Sequence, residues 1–569
     1  MSIETLSHDQ SPAASMPPRS EVSVGELVAT YLADIGVEIA FGVISIHNMP
    51  ILDAIARQGR IRFVPARGEA GALNMADAYA RVSGKLGVAF TSTGTAAGNA
   101  AGAQVEAQTA GTPILHITTQ VDRVFMDRDR AAIHDVPDQA AMLRAISKGY
   151  LRIWESRGVL GVLDAAVRMA LSAPAGPATV EIPVDVQREF VPAPACIRPP
   201  VVDPIRPDEM LLDIAAGMIA RARRPILWLG GGARAASSAA TALVERGVAV
   251  VTSTHGRAVV PENHPWSLGA FNMTPASEAI YKQADLMLVV GSRLRGNETF
   301  DNRMQLPRPL LQIDADPTQN GRNYATDVFM AGDARLALEG LLARLPETLN
   351  TNHNFLHDIS IARAQSEGML RSALGPYQTI ADDLLARVSA GAHPFVRDVT
   401  ISNSTFGNRY VTIARPELGV HALGGGIGQG IAMAIGAALA GEAAKTIALI
   451  GDGGSMLALG EFLTAVDEGA EIVFVLMNDE AYGVIQNIQD VQFEGRRHYS
   501  NLSVPNFSLL AKSFGLQHRA IDNVETFGAA LDWALNLRGP VLLEVEMTKI
   551  GPFASAFAGP PAGAAGGPA

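Results

Sequence analysis

The groups best suited to chemistry gather in one stretch. Leu449-Ile450-Gly451-Asp452-Gly453-Gly454-Ser455-Met456 ends an apolar run that begins at Thr446. A second apolar run, Ile472 to Met477, leads into Asn478-Asp479-Glu480-Ala481-Tyr482-Gly483. Asp452 and Asn478 offer hard oxygen atoms of the kind Mg2+ prefers. The intervening glycines lack Cβ atoms, so their backbone N–H groups can come close to a phosphate, and the following helix turns its positive end toward it. The order of apolar run, glycine break, helical segment and apolar run is a βαβ pattern, and open α/β sheets place ligands at the carboxyl ends of their strands. The local reading is a metal–diphosphate cradle; the bland alternative is an ordinary glycine turn.

A second polar group lies far upstream. Glu69 follows a predicted strand (62–64) in Pro65-Ala66-Arg67-Gly68-Glu69-Ala70-Gly71-Ala72 and precedes a predicted helix, 73–82. On position alone it is a helix N-terminal glutamate favoured by the helix dipole; sheltered beside apolar neighbours, its carboxyl group could instead share a proton. His47, in Val43-Ile44-Ser45-Ile46-His47-Asn48, titrates near neutrality and is either an acid/base group or an idle loop residue. His134 is a similar case, whereas His116 alternates within an apolar strand and reads as core.

Gly451-Asp452-Gly453, a spacer from Gly454 through Met477, and then Asn478 resembles the signature of thiamine-diphosphate-dependent enzymes. The segments Glu69-Ala70-Gly71-Ala72, Ala78-Tyr79-Ala80-Arg81-Val82-Ser83-Gly84-Lys85 and Gly111-Thr112-Pro113-Ile114 are similar to the pyrimidine-binding domain of the acetolactate synthase and benzoylformate decarboxylase branch. By that resemblance Glu69 bonds the cofactor's aminopyrimidine and promotes loss of the thiazolium C2 proton. Gln120, ending the strand 114–119, would face the active site. Gly425 would offer its carbonyl to the pyrimidine amino group, and Ile427 would wedge the two rings into a bent conformation. Gly453, Gly454, Ser455 and Gly483 would donate to the diphosphate, with Ser404 and Thr405 as candidates for the other phosphate. The implied Mg2+ ligands are the Asp452 carboxylate, the Asn478 side-chain oxygen and the Glu480 carbonyl. In the middle of the chain, Gly230-Gly231-Gly232-Ala233-Arg234-Ala235 is formally a G-x-G-x-x-A turn, where relatives hold FAD, ADP or nothing. Val484 and Ile488 replace the usual Met and Trp of the acceptor pocket, which argues against a dedicated branched-chain acetolactate synthase.

The elements that must position these residues follow from pattern. The fold class is α/β, with three doubly wound parallel-sheet domains in series: pyrimidine-binding (23–190), central Rossmann-like (206–345) and diphosphate-binding (377–550). A proline-dense linker (191–205) and a polar connecting segment with some helix (346–376) separate them. Residues 1–22 read as a disordered Ser/Pro-rich tail without an apolar signal core, and 551–569 as either an aromatic lid or a Pro/Gly tail. The net charge of −12, with no basic cluster, argues against nucleic-acid binding. The single cysteine, Cys196, excludes an intrachain disulfide framework and fits a reducing cytoplasm. No apolar run reaches membrane-spanning length. The expected function is a carboligase of the acetolactate-synthase type acting on small carbonyl substrates. The alternatives are a simple 2-oxo acid decarboxylase, an acyl-CoA lyase or oxalyl-CoA decarboxylase-like enzyme, and a catalytically silent homologue. The resemblance implies a homodimer or homotetramer with active sites between the first domain of one subunit and the third of another.

Overall fold

The computed structural model describes residues 20–555, so most of the predicted N-terminal tail and the last part of the C-terminal segment, Phe557 included, lie outside the described residues. Three parallel sheets follow one another along the chain. The first has six strands in the order Arg62–Pro65, Ile39–Gly42, Gly87–Phe90, Ile114–Gln120, Ala178–Pro183, Gly149–Arg152. The third also has six: Gly419–His421, Phe395–Arg397, Thr446–Gly451, Ile472–Asn478, Val541–Glu546, Gln517–Ile521. With strands numbered along the chain within each block, both sheets read 2-1-3-4-6-5. The middle sheet is five-stranded, with Pro225–Leu229 between Ala249–Thr252 and Leu286–Val290. Central strands such as Ile39–Gly42, Thr446–Gly451 and Ile472–Asn478 are buried along their whole length. Continuous apolar runs are what a parallel sheet covered on both faces requires.

The helix Glu69–Ser83 couples the first and third blocks. Every residue from Gly71 to Val82 is buried, and the helix stops at Gly84, whose φ of +70 lets its N–H close onto Ala80. It packs on the helix Gly430–Ala438, which is apolar on all sides and rich in Gly and Ala. The axes approach so closely at Gly436 that a Cβ there would lie 2.0 Å from the Met75 carbonyl oxygen. One apolar cluster therefore runs through both blocks, from Phe41 and Leu73 to Ile431, Phe462 and Phe474.

Three segments differ from expectation. Glu21–Ser23, placed across the edge of the predicted tail, is a strand that pairs antiparallel with Phe190–Pro192. The stretch read as a polar connector with some helix, 346–376, is mostly helix: 22 residues, His353–Leu374, whose Phe355, Leu356 and Ile359 pack into the middle block. Its apolar residues are too widely spaced among polar ones to stand out in sequence. Of the C-terminal segment, Phe553 stacks on Tyr377 at 4.3 Å between ring centres, and the Tyr377 hydroxyl donates to the Gly551 carbonyl at 2.6 Å. Among the described residues no helix is long and apolar enough to cross a membrane.

Candidate active site

In the third sheet the chain leaves strands Phe395–Arg397 and Thr446–Gly451 in opposite directions, which opens a crevice at their carboxyl ends. A cavity of about 350 Å³ lies there, lined by Val399 to Ile401, Gly425, Ile427, Gly451 to Gly454, Met477, Asp479 and Ala481 to Ile485. Asp452 is 2% exposed, and its Oδ2 is buried without a hydrogen-bond partner; the Ser455 hydroxyl is orphaned in the same way. Buried polar atoms left unpaired are costly unless a ligand completes them. Gly425, with φ +81 and open space where a Cβ would point, and Ile427, 37% exposed, reach the cavity from the glycine loop. The chemistry of these groups fits a diphosphate and a hard cation, and Asp452, Gly453, Gly454, Gly483, Gly425 and Ile427 all line the one cavity.

The loop carrying Gly425 and Ile427 is held from three sides. Asp398 accepts from the Gly428 N–H at 3.0 Å and from Val399 N–H at 2.8 Å, and burial pushes its carboxyl group up to about 6. From the first block, Glu106 accepts from the N–H groups of Leu423 (2.7 Å) and Gly424 (2.5 Å). Arg81, buried against Asp77 and Glu106, donates to the His421 carbonyl at 2.7 Å. None of these three supports stood out in sequence. Their signal is only that charged residues sit in otherwise apolar helical and strand segments.

Two of the expected metal ligands, Asn478 and Glu480, each adjoin a cavity-lining residue without lining the cavity themselves. The Asn478 side chain donates to Glu544 Oε1 at 2.9 Å, on the neighbouring strand, and Glu544 in turn meets His518 Nε2 at 2.9 Å. The Glu480 carbonyl accepts from Leu502 N–H at 2.8 Å. Neither residue lines the cavity; Asp479 and Ala481 do. The reason is strand alternation: Asn478 is the last residue of its strand, so Met477 and Asp479 share the face turned to the cavity. Applied to 472–479, that period would have found Asp479. Burial and the adjacent Asp452 carboxylate push Asp479 up to about 8. Ser404 and Thr405 are likewise outside the cavity. They lie in a wide turn, 403–407, where Thr405 Oγ1 donates back to Ile401 O at 2.8 Å; Thr400 and Ile401 take the lining positions instead.

The first-block candidates sit at the corresponding switch point of their own sheet, away from this cavity. Glu69 opens its helix and accepts from Asn99 Nδ2 at 3.1 Å. The two N–H groups just before it, on Arg67 and Gly68, donate to Glu461 Oε1 of the third block, both at 3.1 Å. His47 is buried, with Nδ1 3.3 Å from Ser92 Oγ and its ring 5.5 Å from that of His134. Burial, reinforced by His134, lowers its pKa. Gln120 does not face a site within the chain. It is 1% exposed, its Oε1 accepts from Thr93 Oγ1 (2.8 Å) and Val121 N–H (2.9 Å), and its Nε2 donates to Glu181 at 3.2 Å. Its polar atoms are spent holding the loop after the third strand. In the middle block the three glycines serve close chain packing: a Cβ on Gly230 would lie 2.2 Å from Gly291 O, and one on Gly231 2.0 Å from the His255 ring. Arg293 and Arg295 donate to the carbonyls of Thr109 (2.6 Å) and Leu423 (3.3 Å), which ties the middle block to the other two.

Comparison with known proteins agrees with this arrangement. The thiamine pyrophosphate enzyme N-terminal TPP binding domain matches residues 22–142, the central domain 212–341 and the C-terminal TPP binding domain 401–545. A protein of Pseudomonas aeruginosa named "Probable 2-ketoarginine decarboxylase" is 30% identical over 542 residues, covering 93% of this chain and 95% of the relative. The acetolactate synthase of Arthrospira platensis is 28% identical over 90% of this chain and 92% of the relative. The large subunit of Escherichia coli acetolactate synthase isozyme 1 is 28% identical over 93% and 94%. With all three domains matched in order and relatives aligned nearly end to end, the chain belongs to the thiamine pyrophosphate-dependent enzymes, in the branch that includes the acetolactate synthases.

Proposed function

We propose that this protein is a carboligase that takes a 2-oxo acid as donor and passes the fragment left after loss of carbon dioxide to a second carbonyl compound. The observation that carries the reading is the buried, unpartnered Asp452 oxygen beside the glycines and Ile427 of one cavity. Bound thiamine diphosphate would supply the electron sink for carbon–carbon cleavage. Asp452 would take the Mg2+ that bridges to the diphosphate, and Gly453, Gly454 and Gly483 would flank the phosphates. Ile427 would orient the rings, with the loop beneath it held by Asp398 and Glu106. The lining at the mouth, Val484 and Ile485, favours a donor or acceptor with a hydrocarbon rather than a charged side chain.

We assign Glu69 to proton exchange at the pyrimidine, acting from a second copy of the chain. Every residue lining the cavity belongs to 399–485, so Glu69 of the same chain is not part of it. Two uncovered apolar faces support a dimer of this kind. One is Met456, Leu457 and Ile485 around the cavity mouth; the other is Ile44, Ile46, Met49 and Ile133 around His47. In such a dimer His47 would face the donor. The lone thiol, Cys196, is exposed and unpaired, and supports a cytoplasmic setting.

The test is Glu69→Gln. Exchange of the cofactor's thiazolium proton with solvent deuterium should fall by about 10²- to 10⁴-fold; an unchanged exchange rate would remove Glu69 from this role. The second reading is a simple 2-oxo acid decarboxylase, supported by the relative named for 2-ketoarginine. Pyruvate supplied with and without an aldehyde acceptor separates the two: acetolactate or acetoin marks the carboligase, and free aldehyde with every acceptor marks the decarboxylase.

A further inference from the structure

A carboxylate from the first block reaches into the loop that carries Gly425 and Ile427. From Ala422 to Gly425 the chain makes a tight turn, closed by the Gly425 N–H donating to the Ala422 carbonyl at 3.4 Å. The two N–H groups at its centre point out of the turn, and each meets a different oxygen of Glu106: Leu423 on Oε1 at 2.7 Å, Gly424 on Oε2 at 2.5 Å. Gly424 permits the approach, since a Cβ there would lie 2.7 Å from Oε2. Glu106 is 1% exposed and is itself aimed by Arg81. That guanidinium donates to Glu106 Oε1 at 3.0 Å, to Asp77 Oδ1 at 2.9 Å and to the His421 carbonyl, just before the turn, at 2.7 Å. Past the turn, Gly425 leaves at φ +81 and Asp398 accepts from the Gly428 N–H, so 425–427 hangs between two buried carboxylates. A carboxylate accepts on both oxygens at once; a glutamine offers one acceptor, and one of the turn's N–H groups would then face another donor. Glu106 lies on the helix Ala101–Ala110, in the same block as Glu69, yet it holds the cavity loop of its own chain, whereas Glu69 does not line that cavity.

We propose that Glu106, oriented by Arg81, is the positioning residue that sets the ring-orienting loop of its own chain's active site, a role that rests on the cofactor and dimer readings above. One first block then serves two sites: Glu106 acts within the chain, Glu69 in the partner. The first test needs no cofactor. In full-length protein freed of thiamine diphosphate, hydrogen–deuterium exchange of peptides spanning 421–428 should be at least about tenfold faster at Leu423 and Gly424 in Glu106→Gln than in wild type, with peptides around Glu69 unchanged. With cofactor restored, Glu106→Gln should lower kcat by at least about tenfold and leave KM for the 2-oxo acid within about twofold, since a misplaced loop costs orientation rather than substrate contact. Gly424→Ala, which pushes the Glu106 carboxylate off the turn with its charge retained, should do the same. Mixed subunits separate a local hold from a damaged first block. Glu69→Gln mixed with Glu106→Gln should rise above the mean of its parents toward about one quarter of wild-type activity, because the hybrid keeps one site with an intact loop and an intact Glu69. Glu106→Gln mixed with Asp452→Ala should not exceed the mean of its parents, both defects lying on the same side of the site. Unchanged exchange at Leu423 and Gly424, an unchanged kcat, or no recovery with Glu69→Gln while Glu69→Gln plus Asp452→Ala recovers, would overturn the proposal and leave the dimer reading standing. If neither Glu69→Gln mixture recovers, the dimer reading falls, and the exchange rates and kcat decide the role of Glu106: both altered keeps it, either unaltered removes it.

Discussion

A single side chain at this site acts through where its neighbours leave it. Ile427 is partly exposed at the cavity, on a loop held by Asp398 and Glu106. If it wedges the cofactor's rings, its contribution is orientation rather than affinity. Ile427→Gly is then expected to lower kcat by about 10²-fold while cofactor binding changes little, a split that steady-state kinetics beside a cofactor titration reads directly. Asp398 works on the same loop from the buried side. Asp398→Ala leaves the Gly428 N–H without its acceptor, which should cost about 1–3 kcal/mol, measured as a fall in the urea midpoint with the cofactor absent. Asn478 shows the converse: a residue of the right chemistry is turned onto Glu544 because a strand alternates its faces.

At the scale of elements, the contact between the helices Glu69–Ser83 and Gly430–Ala438 joins the block that carries Glu69 to the block that carries the cradle. A methyl group at Gly436 has no room, since the opposing atom is a main-chain oxygen that can retreat only if the whole helix does. Gly436→Ala should therefore cost about 3 kcal/mol or more, seen in thermal unfolding of the purified protein. The strand Ile114–Gln120 carries His116, wholly buried with Nε2 2.8 Å from Thr91 Oγ1, and burial pushes its pKa down from 6.5 to about 3. A histidine kept neutral in the folded state stabilises fully above the unfolded value of 6.5 and loses that stability as pH falls toward about 3. Below pH 6.5 wild type should lose up to about 1.4 kcal/mol per pH unit relative to His116→Asn, measured as the difference between their urea midpoints across that range. In the middle block, His255 fills the space over Gly231 and the arginines are engaged with backbone carbonyls. The purified protein is accordingly expected to show no flavin absorption.

For the whole molecule, the repeated 2-1-3-4-6-5 order places two switch points in each chain, one carrying the cradle and the other Glu69, His47 and Asn99. Because the two do not share a cavity within one chain, two defective chains should repair each other. Subunits carrying Glu69→Gln mixed with subunits carrying Asp452→Ala should regain up to about one quarter of wild-type activity, the share of intact sites in randomly formed dimers. If each chain builds its site alone, the mixture stays as inactive as its parts.

The sequence by itself determined the cofactor chemistry, the three α/β blocks and the glycine cradle around Asp452, because those depend on residue type and on local periodicity. It also marked Glu69 and Ile427, through the order of short segments around them. What only the tertiary structure decided is direction and partnership. Whether Asn478 or Asp479 looks into the cavity is settled by one residue of strand register. Whether Gln120 is free depends on Thr93 and Glu181, from two other strands' ends. That Glu106 and Arg81 hold the Gly425 loop depends on packing across more than 300 residues of chain. Such contacts arise from the close docking of two buried helices, and no local pattern encodes which distant backbone N–H a buried carboxylate will meet.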